Sequence, residues 1–80
     1  MRYKNDMTPE QCRAARALLG WSQSDLAKRS KVSISAIRNF ERGMTMPVVN
    51  NLDALKRAVE AGGVVLINDG KLGVAMEIRE

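Results

Sequence analysis

The sequence predicts a mainly α fold, four short helices closed by a C-terminal β-hairpin. Three observations carry that expectation. Helix-start signatures stand at Thr8, Ser22 and Ser33, each followed by residues that suit a first helical turn. Apolar residues then recur at helical spacing as far as Ala61, and beyond Gly62-Gly63 the period changes. At 80 residues and 45% apolar composition, the chain holds one compact core and little reserve of stability.

The first helix opens at Thr8-Pro9-Glu10-Gln11. Thr8 caps, Pro9 sits where a missing N–H is harmless, and Gln11 completes a capping box. Met7 and Cys12 stand at the positions of a hydrophobic staple. The helix is expected to run to about Leu19 and stop at Gly20, with Cys12, Ala15, Leu18 and Leu19 inward and Arg13 facing water. Cys12 reads as a small core residue rather than a reactive thiol.

A second helix follows at once, Ser22 capping with Asp25 at N3 and Trp21 stapled to Leu26. It extends from Gln23 to about Arg29. A third starts at Ser33, stapled by Val32 and Ile37, and reaches about Arg42 before Gly43, with Ile37 and Phe40 inward. Two such short helices joined by three or four residues cannot pack antiparallel. They must cross steeply, which is helix-turn-helix geometry.

Val49, Leu52, Leu55 and Val59 mark a fourth helix, from Val48 or Val49 to Ala61, ended by Gly62-Gly63. Val64-Val65-Leu66-Ile67 and Leu72 to Ile78 then read as strands about Asn68-Asp69-Gly70-Lys71, where Asp69-Gly70 suits a type I′ turn. Val74, Met76 and Ile78 alternate along one face. A two-stranded hairpin is barely stable alone. It is expected to lie on a helix and to pair its free edge with a second chain, through Val64, Val65, Leu66, Ile67, Val74, Met76 and Ile78. Helix 4 remains open as an alternative or additional interface. The chain thus divides into a flexible arm (1–7), a helix-turn-helix domain (8–61) and a hairpin (62–80).

Charge is distributed unevenly. Residues 1–57 carry eleven basic and five acidic side chains, a net of +6, and residues 58–80 carry two and four, a net of −2. A basic front suits a polyanionic partner, although solubility alone would also account for it. The chain has no His and one Cys, which removes imidazole general bases, the usual triads, thiolate metal cages and internal disulfides. Neither catalysis nor a metal or other cofactor is expected. No apolar run reaches the roughly 18 residues needed to cross a bilayer, and no secretion signal stands out, so the cytoplasm is the default location.

The run Gln23-Ser-Asp-Leu-Ala27-Lys-Arg-Ser-Lys-Val-Ser33-Ile-Ser-Ala-Ile37-Arg-Asn-Phe40-Glu41-Arg42-Gly43 resembles the helix-turn-helix of the phage repressor, Cro and XRE family. Arg13-Ala-Ala-Arg16-Ala-Leu-Leu-Gly-Trp-Ser-Gln23 is similar to first-helix patterns of its bacterial members. The likeness covers about residues 8–61 and implies a repressor-like DNA-binding domain. Physical logic runs beside it: Ala27 is small where two helices meet, and the outer face of the third helix is left for the major groove.

By position the base readers are Ile34, Ser35, Arg38 and Asn39. Arg38 suits guanine, Asn39 adenine, and Ile34 a thymine methyl. Phosphate anchors are Ser22, Gln23, Lys31, Ser33, Arg42 and Thr45, with Gln23 the residue that grips backbone in the family. Lys28 serves equally well as a solvated charge. Arg16 and Glu41 occupy positions that pair as a salt bridge in similar repressors.

Two departures from the pattern stand out. Lys31 replaces the usual Gly at the turn, at a cost of about 1 kcal/mol if its backbone is left-handed. Met44-Thr45-Met46 lacks the basic residues of some relatives. For Arg2-Tyr3-Lys4, a disordered end is favoured over a groove-following arm.

The implied function is a sequence-specific regulator, repressor or dual-acting. It would bind a palindromic double-stranded DNA operator as a homodimer with recognition helices about 34 Å apart. Paired dimers on adjacent sites and a regulatory protein partner are compatible extensions. An antitoxin or a protein–protein adaptor would use the same fold. The short tail disfavours the first, and the polar residues on the third helix disfavour the second.

Overall fold

The computed structural model describes residues 7–77. Among them are four helices and two strands: α1 (Pro9–Leu19), α2 (Gln23–Ser30), α3 (Ile34–Glu41), α4 (Val49–Ala61), β1 (Val64–Asn68) and β2 (Leu72–Met76). Arg2, Tyr3, Lys4 and Ile78 lie outside the described residues.

Local chemistry sets the helix boundaries. The Thr8 hydroxyl accepts from the Gln11 N–H at 3.1 Å, and Gln11 Oε1 accepts from the Thr8 N–H at 3.0 Å. Ser22 and Asp25 form the same reciprocal box on α2, and the Ser33 hydroxyl caps α3 through the Ala36 N–H. Each box satisfies two donors that a helix start leaves orphaned. Gly20 ends α1 in the left-handed conformation.

The core is one cluster drawn from every helix: Met7, Cys12, Ala15, Leu26, Val32, Ile37, Phe40, Leu52, Leu55 and Val59, joined by Val64 of β1. Two residues expected in it are outside. Leu18 is 46% exposed, because the buried stripe on α1 runs through Cys12, Ala15 and Leu19 and a residue one step away is turned by about 100°. Val49 is 61% exposed. As the first residue of α4 it precedes the turn that reaches the core, which begins at Leu52.

The hairpin departs from expectation in two ways. Asn68 pairs with Leu72, so the loop has three residues, Asp69 to Lys71, and Gly70 alone among them has positive φ. A type I′ turn needs two central residues at positive φ, and Asp69 does not supply the first. The second difference concerns the faces. Val64 is 2% exposed and belongs to the core, against which Leu66 and Val74 also pack. All three hold the hairpin to the helices; Val64 is buried and so is not free for a second chain, whereas Leu66 and Val74 are half-buried. Val65 and Ile67 alternate to the opposite face, opposite Ala75 and Gly73.

Gln11 fastens the hairpin to α1. Its Nε2 lies 3.1 Å from both the Ile67 and Gly73 carbonyl oxygens and 2.9 Å from Asn68 Oδ1. One side chain therefore caps α1 with its oxygen and grips the far strands with its nitrogen.

Candidate nucleic-acid interface

The three residues between α2 and α3 turn the chain sharply. Lys31 carries the turn at φ 63°, ψ 24°, in the left-handed region where a Cβ is strained. The Lys31 N–H bonds the Ala27 carbonyl, and the Ser30 hydroxyl accepts from the Val32 N–H. These bonds and the burial of Val32 hold the turn closed.

With Ile37 and Phe40 fully buried, α3 has one remaining orientation. Ser35 and Arg38 are exposed and Ile34 and Asn39 are half-buried beside them. Lys31, Ser33, Arg42 and Thr45 are exposed on the flanking segments. The hydroxyl oxygens of Ser22 and Ser33 accept capping bonds, which leaves their O–H protons to donate elsewhere.

Behind α3 lies a polar centre that the sequence announces only in part. Glu41 is 4% exposed. Its Oε1 accepts from Arg16 Nη2 at 2.7 Å and Gln23 Nε2 at 3.1 Å, and its Oε2 from Arg16 Nε at 2.8 Å and the Cys12 thiol at 3.1 Å. Arg16 Nη1 also bonds the Trp21 carbonyl. Arg13 is exposed, as expected, and its Nη1 donates to the Glu41 carbonyl oxygen, which satisfies an orphan acceptor at the end of α3. No buried side-chain N or O among the described residues lacks a partner.

Burial would raise the Glu41 pKa, but the hydrogen bonds from Arg16, Cys12 and Gln23 outweigh it and hold the carboxyl below its ordinary value. Burial and the adjacent carboxylate push the Cys12 thiol far up instead, which makes it inert. Arg16 and Glu41 belong to the expected pattern. The Cys12, Gln23 and Arg13 contacts had no sequence signal, since each depends on rotamers across elements.

The family model described as Helix-turn-helix matches residues 13–59, more than half of the chain. The chain belongs to this helix-turn-helix family, of the repressor, Cro and XRE type. A search of the curated proteins finds no match to it. The helix-turn-helix domain so defined takes in most of α1 and all of α2 and α3, and ends within α4. The hairpin lies beyond it. The protein is accordingly a DNA-binding transcription regulator in kind. Among the described residues no helix is long and apolar enough to cross a membrane.

Within the helix-turn-helix domain, the structure joins two of the expected site residues directly. Gln23 Oε1 lies 3.4 Å from Arg38 Nε. Gln23 is thus engaged on both sides, by Glu41 and by Arg38, and only one of its amide hydrogens is left for a phosphate.

Proposed function

We propose that the protein is a sequence-specific regulator, a repressor or dual-acting switch, that binds a palindromic operator as a homodimer in the cytoplasm. One observation carries this reading: α3 is locked by Ile37, Phe40 and Glu41 on one side and presents Ser35 and Arg38 on the other. An adaptor would have no need of that outward face. Ile34, Ser35, Arg38 and Asn39 read base edges, Arg38 by a bidentate contact with guanine. Ser22, Lys31, Ser33, Arg42 and Thr45, with the free N–H groups opening α2, hold phosphates.

Dimerisation uses the outer face of the hairpin, Val65 and Ile67, together with Met76 at the open end of the inner face opposite Val64, where Val65 is 43% and Met76 42% exposed. Regulation acts through concentration, pairing of dimers on adjacent sites, or a protein partner.

Two measurements test the reading. Selection from a random duplex library should return a two-fold symmetric site, and a collection with no enriched sequence rules the reading out. Sedimentation should show a dimer that Val65→Lys converts to monomer. A V65K protein that stays dimeric moves the interface to the other exposed apolar strip, Met44, Met46, Val48 and Val49.

A further inference from the structure

Glu41, Gln23 and Arg38 form a line from the protein interior to the DNA-facing surface. The first member sets the sense of the second. Glu41 is held as a carboxylate and can only accept. Of the two ends of the Gln23 amide, the one at 3.1 Å from Glu41 Oε1 must therefore be the nitrogen; the reverse orientation would oppose two oxygens. The amide carbonyl is consequently turned outward, and it meets Arg38 at the Nε–H.

We infer that Gln23 is a positioning residue for base recognition, holding Arg38 by its Nε so that the two terminal nitrogens face the groove. The inference rests on the regulator reading above and assigns one of its parts. A guanidinium has five donors in a rigid fork. Anchoring the Nε–H fixes the plane of that fork and leaves the Nη1 and Nη2 edge for a guanine O6 and N7. A flexible, solvated arginine would lose rotamer freedom on docking, whereas one already tethered loses less. The tether is long in the free protein and gains strength when bases exclude water from it. Its anchor is rigid because Glu41 is also gripped by Arg16 and Cys12.

A glutamine that serves only a phosphate behaves differently. It strengthens every duplex equally and, being uncharged, leaves the salt dependence as it is. A positioning glutamine alters discrimination at one base pair and nowhere else.

The experiment uses the full chain and the duplex it enriches from a random library, scanned one base pair at a time. Wild type, Gln23→Ala, Arg38→Ala, Arg38→Lys and the double variants are compared, with thermal melts to establish that each is folded. Q23A is expected to reduce discrimination about tenfold at the base pair that R38A ceases to read, and to spare the others. The dependence of binding on salt should stay as in wild type. In the R38A and R38K backgrounds Q23A should add nothing, since neither retains an Nε–H to hold. Equal weakening on selected and random duplexes would overturn the inference and return Gln23 to the phosphates. So would an undiminished Q23A effect in the R38K background. Enrichment of no duplex at all would defeat the regulator reading, and this inference with it.

Discussion

The guanidinium of Arg16 spans both carboxylate oxygens of Glu41, Nη2 to Oε1 at 2.7 Å and Nε to Oε2 at 2.8 Å. It ties the last turn of α1 to the last residue of α3. With Gln23 and the Cys12 thiol, the carboxylate receives four bonds, which is its full capacity. The pair is nearly buried, the two side chains being 19% and 3% exposed. Removing one partner from such a pair leaves a charge without compensation and destabilises by about 3–5 kcal/mol. The recognition helix is thereby fixed to the body of the domain.

This arrangement gives stability an acid limb. The folded-state pKa of Glu41 is depressed below the ordinary 4.5, so its contribution is complete above that value. It fades as pH falls through the depressed one, because the unfolded chain takes up the proton first. Denaturant midpoints of wild type are expected to drop as pH falls below the ordinary 4.5. In Glu41→Gln, less stable at neutral pH, that drop should shrink. Asp25, also depressed, by its bonds from Ser22, keeps a residual slope in both proteins. Parallel pH profiles for the two would remove Glu41 as the source.

Gln11 allows its two jobs to be separated. Gln11→Glu keeps an oxygen for the Thr8 N–H but sets a second one against the Ile67 and Gly73 carbonyls and Asn68 Oδ1. The expected loss is about 1–3 kcal/mol, the cost of leaving partly buried acceptors without a donor. Amide hydrogen exchange should accelerate in β1 and β2 while α2 and α3 keep their protection. Uniform acceleration across the chain would mean that the hairpin is not held separately by this side chain.

What the sequence made legible, and what it did not, follows from the range of the forces involved. Capping boxes at Thr8 and Ser22 are encoded within four residues, and the steep crossing of α2 and α3 follows from a three-residue connection. Face assignments held where a helix lies deep in the core, as at Ile37 and Phe40. They failed at helix ends, where Leu18 and Val49 sit past the margin of the core. Strand alternation gave the two faces of the hairpin but not which one α1 and α4 would take, and so the burial of Val64 was not legible. The contacts from Gln23 to Glu41 and Arg38 join three sites far apart in sequence and leave no local trace.

Close packing between α4 and the second helix start can be tested at Gly62. Its φ of −78° suits any residue, so the position is constrained by space alone. A Cβ there would stand 2.8 Å from Leu19 Cδ2 and 3.2 Å from two Trp21 ring carbons. Leu19 can swing its terminal methyl, but the indole ring is covered by Arg29, 4.5 Å from its centre. Gly62→Ala is expected to destabilise by about 1–2 kcal/mol through overpacking. The chain has one tryptophan, so its fluorescence reports the disturbance directly. An unchanged melting temperature and emission would show that the contact yields freely.

Lys31 sets folding against binding at a single position. Its left-handed backbone, φ 63°, disfavours any residue with a Cβ, and glycine relieves that strain while giving up some order in the unfolded chain. Lys31→Gly is therefore expected to raise stability by about 0.5–1 kcal/mol, the strain relief exceeding the entropic loss. The same change removes an exposed cation beside α3. If Lys31 neutralises a phosphate, the slope of log affinity against log salt should fall in magnitude by about one, with equal weakening on all duplexes. A protein that is more stable and binds DNA more weakly at low salt would display both effects together. An unaltered slope would assign Lys31 to solvent, and a loss of stability would contradict the strain that its backbone implies.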